Sequence, residues 1–125
     1  MEFLNTTNAP EAIGPYSQAV KVNGLLYTSG QIALTPDGVM LENDIKIQTR
    51  QIFSNIKAIL EDQDSGLDQV VKLNIFITDM KDFGIVNVLM AEAFGDHKPV
   101  RSTVEVAGLP KNAMIEMDVI AVSYA

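Results

Sequence analysis

Two periodicities share this chain. In residues 43–64, Ile45, Thr49, Ile52, Phe53, Ile56, Ile59 and Leu60 recur three and four positions apart. That spacing predicts a helix with one buried stripe. Asn43 or Asp44 can cap its start, and Gly66 lies just past its end. Gln48, Arg50, Gln51 and Lys57 fall off the stripe and are expected in solvent. A second helix is predicted over residues 82–96, with Phe83, Val86, Met90, Ala93 and Phe94 inward. Elsewhere the period is two. Residues 70–78 place Val71, Leu73, Ile75 and Ile77 on one face and Lys72, Asn74, Phe76 and Thr78 on the other. Residues 100–107 alternate Val100, Ser102, Val104 and Val106 with Arg101, Thr103, Glu105 and Ala107. Gly108, Pro110 and Asn112 then punctuate a turn, and a strand resumes over 114–123. Residues 20–22 and 25–28 flank Asn23-Gly24, a strong short hairpin signal.

The predicted order is hairpin, helix, strand, helix, two strands, in a single domain spanning 1–125. It implies an α+β fold: a two-layer sandwich whose helices pack on one face of the sheet. The other face carries too many apolar residues for full exposure, so a cover such as a second copy of the chain is expected.

Composition narrows the chemistry. Sixteen acidic residues stand against nine basic ones, a net charge of −7. That balance and the absence of a basic run argue against a nucleic-acid surface. There is no cysteine, so disulfides, thiol nucleophiles and thiolate-bound metals are excluded. No basic leader precedes an apolar stretch, and no apolar run reaches membrane-spanning length, so a soluble cytoplasmic protein is expected. No Gly-rich phosphate loop, nucleophile elbow or metal-ligand spacing is present. The one histidine, His97, follows the second predicted helix with nothing nearby to orient it.

A lean polar set remains: Tyr16, Ser29, Asn87, Arg101, Thr103, Glu105 and Glu116. Arginine grips carboxylates through two parallel hydrogen bonds. A glutamate can hold or activate a water. An Arg and a Glu on neighbouring strands can equally be a structural ion pair, and both readings stand here. Were 100–107 and 114–123 a hairpin, Arg101 and Glu116 would lie four residues apart, roughly 13 Å. One small molecule could not touch both. Either the strands pair otherwise or the two groups meet across a boundary between chains.

Four segments, AIGPYSQA (12–19), TSGQI (28–32), DFGIVN (82–87) and PVRSTVEVAGLPKNAMIEMDVIA (99–121), resemble the Rid family. The similarity is closest to its RidA subfamily of 2-iminobutanoate/2-iminopropanoate deaminases and covers nearly the whole chain. The resemblance implies a chorismate-mutase-like fold and a homotrimer whose sheets form a central β-barrel, with a site in each cleft between subunits. It implies hydrolysis of imines of small 2-oxo acids, released by pyridoxal-phosphate-dependent dehydratases, to 2-oxo acid and ammonia, with no cofactor and no metal. By position, Arg101 would hold the substrate carboxylate and Glu116 the water. Backbone groups of Gly30 and Thr103 would sit near the imine nitrogen, and Tyr16, Ser29 and Asn87 would line the cleft. GDHKPVRS (95–102) is shorter than in many relatives and lacks an aromatic before Pro99. Val100 replaces a common alanine, and Thr103 a common cysteine. A non-catalytic trimer binding small carboxylates is the alternative. A ribonuclease or translation inhibitor is another, against which the charge weighs.

Overall fold

The computed structural model describes residues 1–123. Strands β1 (Glu2–Leu4), β2 (Ala19–Val22) and β3 (Leu25–Thr28) precede helix α1 (Ile45–Glu61). Strand β4 (Val70–Ile77), helix α2 (Phe83–Phe94), β5 (Val100–Glu105) and β6 (Ile115–Val122) follow. The six strands form one mixed sheet in the order β1-β2-β3-β6-β4-β5. Only β4 and β5 run parallel; the other neighbours are antiparallel. Both helices cover the same face, and the fold is the expected two-layer α+β sandwich.

The stripe of α1 is buried throughout: Ile45, Thr49, Ile52, Phe53, Ile56, Ile59 and Leu60 all face the core. Each fully buried aliphatic side chain contributes about 1.5–3 kcal/mol. Asp44 starts the helix by accepting from Lys46 N and Ile47 N at 2.9 and 3.0 Å. Asp64, not Gly66, takes the left-handed conformation that turns the chain after α1. Asn23 and Gly24, with φ of 51° and 77°, close the β2–β3 hairpin as the sequence implies. From β6, Ile115, Met117, Val119 and Ala121 enter the core; Leu73, Ile75 and Ile77 join them from β4. In α2, Val86 and Phe94 are buried, and Leu89, absent from the predicted stripe, is buried as well.

Three expectations are corrected and one open alternative is closed. First, the strands pair otherwise than in the hairpin considered: β5 and β6 are not neighbours. β4 lies between them, so β6 pairs with β3 and β4 while β5 is an edge strand. The segment between β5 and β6 is a crossover loop, not a tight turn. Second, Val71 is exposed, because a register shift between Val70 and Lys72 turns Val70 into the core instead. Third, Gln48 is buried, not solvated. Its amide donates to Glu42 O at 3.0 Å, and its oxygen accepts from Met114 N at 3.0 Å. Helix α1 is thereby tied to the entrance of β6. Fourth, His97 does have an orienting partner: its Nε2 lies 2.6 Å from the carbonyl of Val70.

Candidate functional site

The sheet's register separates the candidate residues into two groups. Arg101 is level with Leu73, and Leu73 with Val119, so Arg101 projects on the helix-covered side. Glu116 is level with Phe76 and projects on the opposite, open side. Two inter-strand spacings and three residues of rise put their Cα atoms about 14 Å apart. Within one chain they cannot grip the same small molecule.

The Arg101 group is built by β5 and α2. As an edge strand, β5 has no neighbour on its outer side to pair its backbone groups. The guanidinium donates from Nη1 to Asn87 Oδ1 and lies 5.1 Å from the centre of the Phe83 ring. Met90 Sδ is 3.6 Å from the same nitrogen. Among the described residues the ion pairs are Arg50–Glu92 and Lys81–Asp79. Arg101 belongs to neither and remains exposed, so the reading of a structural Arg–Glu pair falls. Asn87 and Met90 engage Nη1, and the three donors on Nε and Nη2 are available to an anion. A cleft of about 360 Å³ opens beside it, bordered by Asn87, Met90, His97 and Pro99. Thr103, two residues along the same face, has a buried hydroxyl with no hydrogen-bond partner.

The Glu116 group is built by β6 and three loops. A cleft of about 280 Å³ contains Glu116 with Tyr16, Gly30, Gln31 and Lys111 among its lining residues. Gly30 runs against the carboxylate: a Cβ there would stand 2.7 Å from Glu116 Cδ. A glycine leaves the carboxyl where it is, whereas any side chain here would push it aside. Gln31 pairs with Met117 through bonds of 2.7 and 3.0 Å, which fixes that approach. Burial, and secondarily the neighbouring Asp118 carboxylate, hold the Glu116 carboxyl above the ordinary glutamate range. Tyr16 is half exposed, and its hydroxyl accepts from Ile13 N at 3.2 Å. Gly14, directly before Pro15, has a φ of 134° where this loop turns. The Ser29 hydroxyl donates to Ser17 O and its amide to Gln18 O, so this serine ties its loop to the Tyr16 loop.

Three residues of this half were not singled out from sequence. Gln18 is buried; its side chain accepts from Thr6 N and donates to the carbonyls of Thr6, Ala9 and Pro10, shaping the cleft wall. Lys111 and Asn112, with φ of 55° and 54°, place a lysine at the cleft. Asp118 shares the face of Glu116. Gln18 and Asp118 sit inside the quoted motifs, but a polar residue in a motif does not announce its partner.

The sequence profile described as Endoribonuclease L-PSP matches residues 6–123. A RutC family protein of Pyrococcus horikoshii is 48% identical over 121 residues, 96% of each chain. The Rid-family protein YyfA of Yersinia pestis is 50% identical and superposes with a TM-score of 0.94, covering 97% of this chain and 98% of that one. TdcF of E. coli, whose structure holds bound serine, is 37% identical with a TM-score of 0.92 and 98% coverage of both chains. The chain belongs to the Rid family.

Proposed function

We propose that this protein is a cofactor-independent deaminase that hydrolyses 2-iminobutanoate and 2-iminopropanoate, working as a homotrimer with each site between two subunits. The observation that carries the reading is the separation of two unsatisfied half-sites. An exposed arginine with no acid partner among the described residues stands on one side of the sheet and a half-buried glutamate on the other, each at a cleft. A second copy offering its complementary half would join them. The open face favours such a partner. Val100 and Val104 are 63% and 46% exposed there, and Phe76 and Ile120 are only partly covered.

In the assembled cleft Arg101 holds the substrate carboxylate with two parallel hydrogen bonds, and Asn87 fixes the guanidinium. A protonated imine is already electrophilic, so positioning supplies most of the catalysis. Glu116 takes a proton from water as the new C–O bond forms. It returns that proton to nitrogen, and as the C–N bond breaks the hydroxyl left on carbon passes its proton back to Glu116 and on to the departing ammonia, so that ammonium and the 2-oxo acid are released and the carboxylate is restored. A carboxyl held above the ordinary range suits both transfers better than a typical glutamate. Outward backbone groups near Gly30 and Thr103 would contact the nitrogen, while Tyr16 and Ser29 shape the wall.

The test is a coupled assay in which a pyridoxal-phosphate-dependent serine or threonine dehydratase supplies the imine. The protein should speed its loss, and Arg101→Ala should not. Equal rates with and without protein would remove the enzymatic claim. The serine bound to TdcF supports a second reading, a binding module for small carboxylates. In that case Glu116→Gln would retain affinity and no variant would show a rate to lose. A net charge of −7 weighs against RNA as substrate.

A further inference from the structure

Glu116 does not face its cleft alone. Asp118 is two residues along β6, on the same open face, with its Cα about 7 Å away. Across the strand pair Asn74 lies level with Asp118, and its amide donates to Asp118 Oδ1 at 2.8 Å. That bond holds the second carboxylate in place. Phe76, level with Glu116, offers that carboxyl no donor. Gly30, packed against Glu116 Cδ, restricts where the carboxyl can go. The result is a staggered pair of acids: one fixed by an amide, the other hemmed in by a glycine and an aromatic ring.

We propose that Asp118, clamped by Asn74 on the face it shares with Glu116, is a positioning residue that keeps a fixed negative charge beside the water-handling carboxyl and so limits how far into acid the water is activated. The proposal rests on the deaminase reading for its catalytic consequence. Its electrostatic core stands apart from that reading. A fixed negative charge nearby makes ionisation of Glu116 harder and leaves a carboxyl able to return the proton it takes. Other charged or titratable groups bordering the Glu116 cleft are Glu11 and Tyr16 from the 10–16 loop and Lys111 from the loop before β6. Lys111 acts in the opposite sense to Asp118. Lys72 shares the open face, level with Ile120, and so sits diagonal to Asp118 and farther from Glu116. The loop between β3 and Gln31 contributes no charge. Asp118 is therefore the acid whose place is fixed relative to Glu116 by both strand register and a side-chain bond.

The experiment is a carbon-detected NMR titration of side-chain carboxyls in the full chain, with Glu116 assigned by loss of its signal in Glu116→Gln. In Asp118→Asn the Glu116 midpoint should move down, by several times any change at remote Glu2. Asp118→Ala should move it the same way, and Asp118→Glu should restore most of the wild-type value. The acid limb of kcat/KM should follow, so that activity persists to lower pH in Asp118→Asn. A Glu116 midpoint that stays put in both neutral variants overturns the proposal, even if their stability changes. If the protein turns over no imine, the NMR titration still decides the role of Asp118. If it turns over imine while the midpoint is unmoved, the deaminase reading survives and this one does not.

Discussion

The two halves of the candidate site are built in different ways. The Arg101 half rests on β5, an edge strand, and on α2, which follows β4 and leads into β5. Its contacts, Asn87, Met90 and Phe83, come from a single helix. The Glu116 half rests on an interior strand and collects loops from residues 10–16, 28–31 and 110–112. The first half is locally assembled and open. The second is assembled from distant segments and tightly packed, with a glycine against the carboxyl. A change in the first should therefore act on ligand grip and leave folding alone. A change in the second should act through geometry.

The sharpest way to break this division is complementation. Arg101→Ala and Glu116→Ala should each reduce kcat/KM by about a hundredfold or more, since each removes a charged partner from a desolvated contact. Refolded together in equal amounts, they should regain activity. In a ring of head-to-tail contacts each site draws one half from each of two neighbours. A site is intact when both halves come from the unmutated side, one chance in two for each, so about a quarter of wild-type activity should return. No recovery in a mixture that forms trimers would place both residues in one chain's site and defeat the two-chain arrangement.

Gly30→Ala sharpens the contrast from the other half. The added methyl would meet the far end of the Glu116 side chain, which can swing away. Thermal stability should stay within about 1 kcal/mol, as for surface changes generally. Activity should fall at least about tenfold, because misplacing a reacting group by 1 Å costs up to about a hundredfold. Equal losses in Tm and rate would show that the glycine serves folding instead.

Local pattern revealed most of the architecture. The α1 stripe, the Asn23-Gly24 turn and the alternation of β6 were readable because each depends on neighbours within a few residues. Strand order was not. Nothing local to residues 105–115 says that β4 will lie between β5 and β6, since that order rests on the pairing of β6 with β3 and β4, strands distant in sequence. Val71 was misplaced for a related reason. A one-residue register shift reverses inside and outside without changing the sequence pattern that precedes it. In the site, Arg101 and Glu116 stood out by residue type, and their placement on opposite faces required the sheet.

Gln48 illustrates what pattern reading misses and predicts a moderate effect. A glutamine off an apolar stripe looks solvated, yet this one is fully buried between Glu42 O and Met114 N. Gln48→Ala should destabilise by about 1–3 kcal/mol, because it strands the part-buried amide of Met114 and leaves a cavity at a buried site. Chemical denaturation checks this. Because Met114 leads directly into the strand bearing Glu116, activity should fall with it, while the local environment of Arg101 stays unchanged. A variant as stable as wild type would mean that water satisfies Met114 N equally well.

The smallest expected effect concerns pH and belongs to the Glu116 half alone. Its carboxyl is held above the ordinary glutamate range, first by burial and then by Asp118. In the window between the unfolded and the raised folded value, the native state binds more protons than the unfolded one. Stability contributed by this group is therefore complete below the ordinary glutamate range and declines as pH rises through the window. Glu116→Gln should flatten that part of the stability curve and make the protein relatively more stable at neutral pH. Arg101→Ala should leave the same part of the curve as it is, since the guanidinium lies on the other face with no carboxylate partner. Urea midpoints measured across mildly acidic pH would show it. A Glu116→Gln curve parallel to wild type would mean that the native carboxyl titrates like a free one, and that the packing of Gly30 and Asp118 around it has no electrostatic consequence.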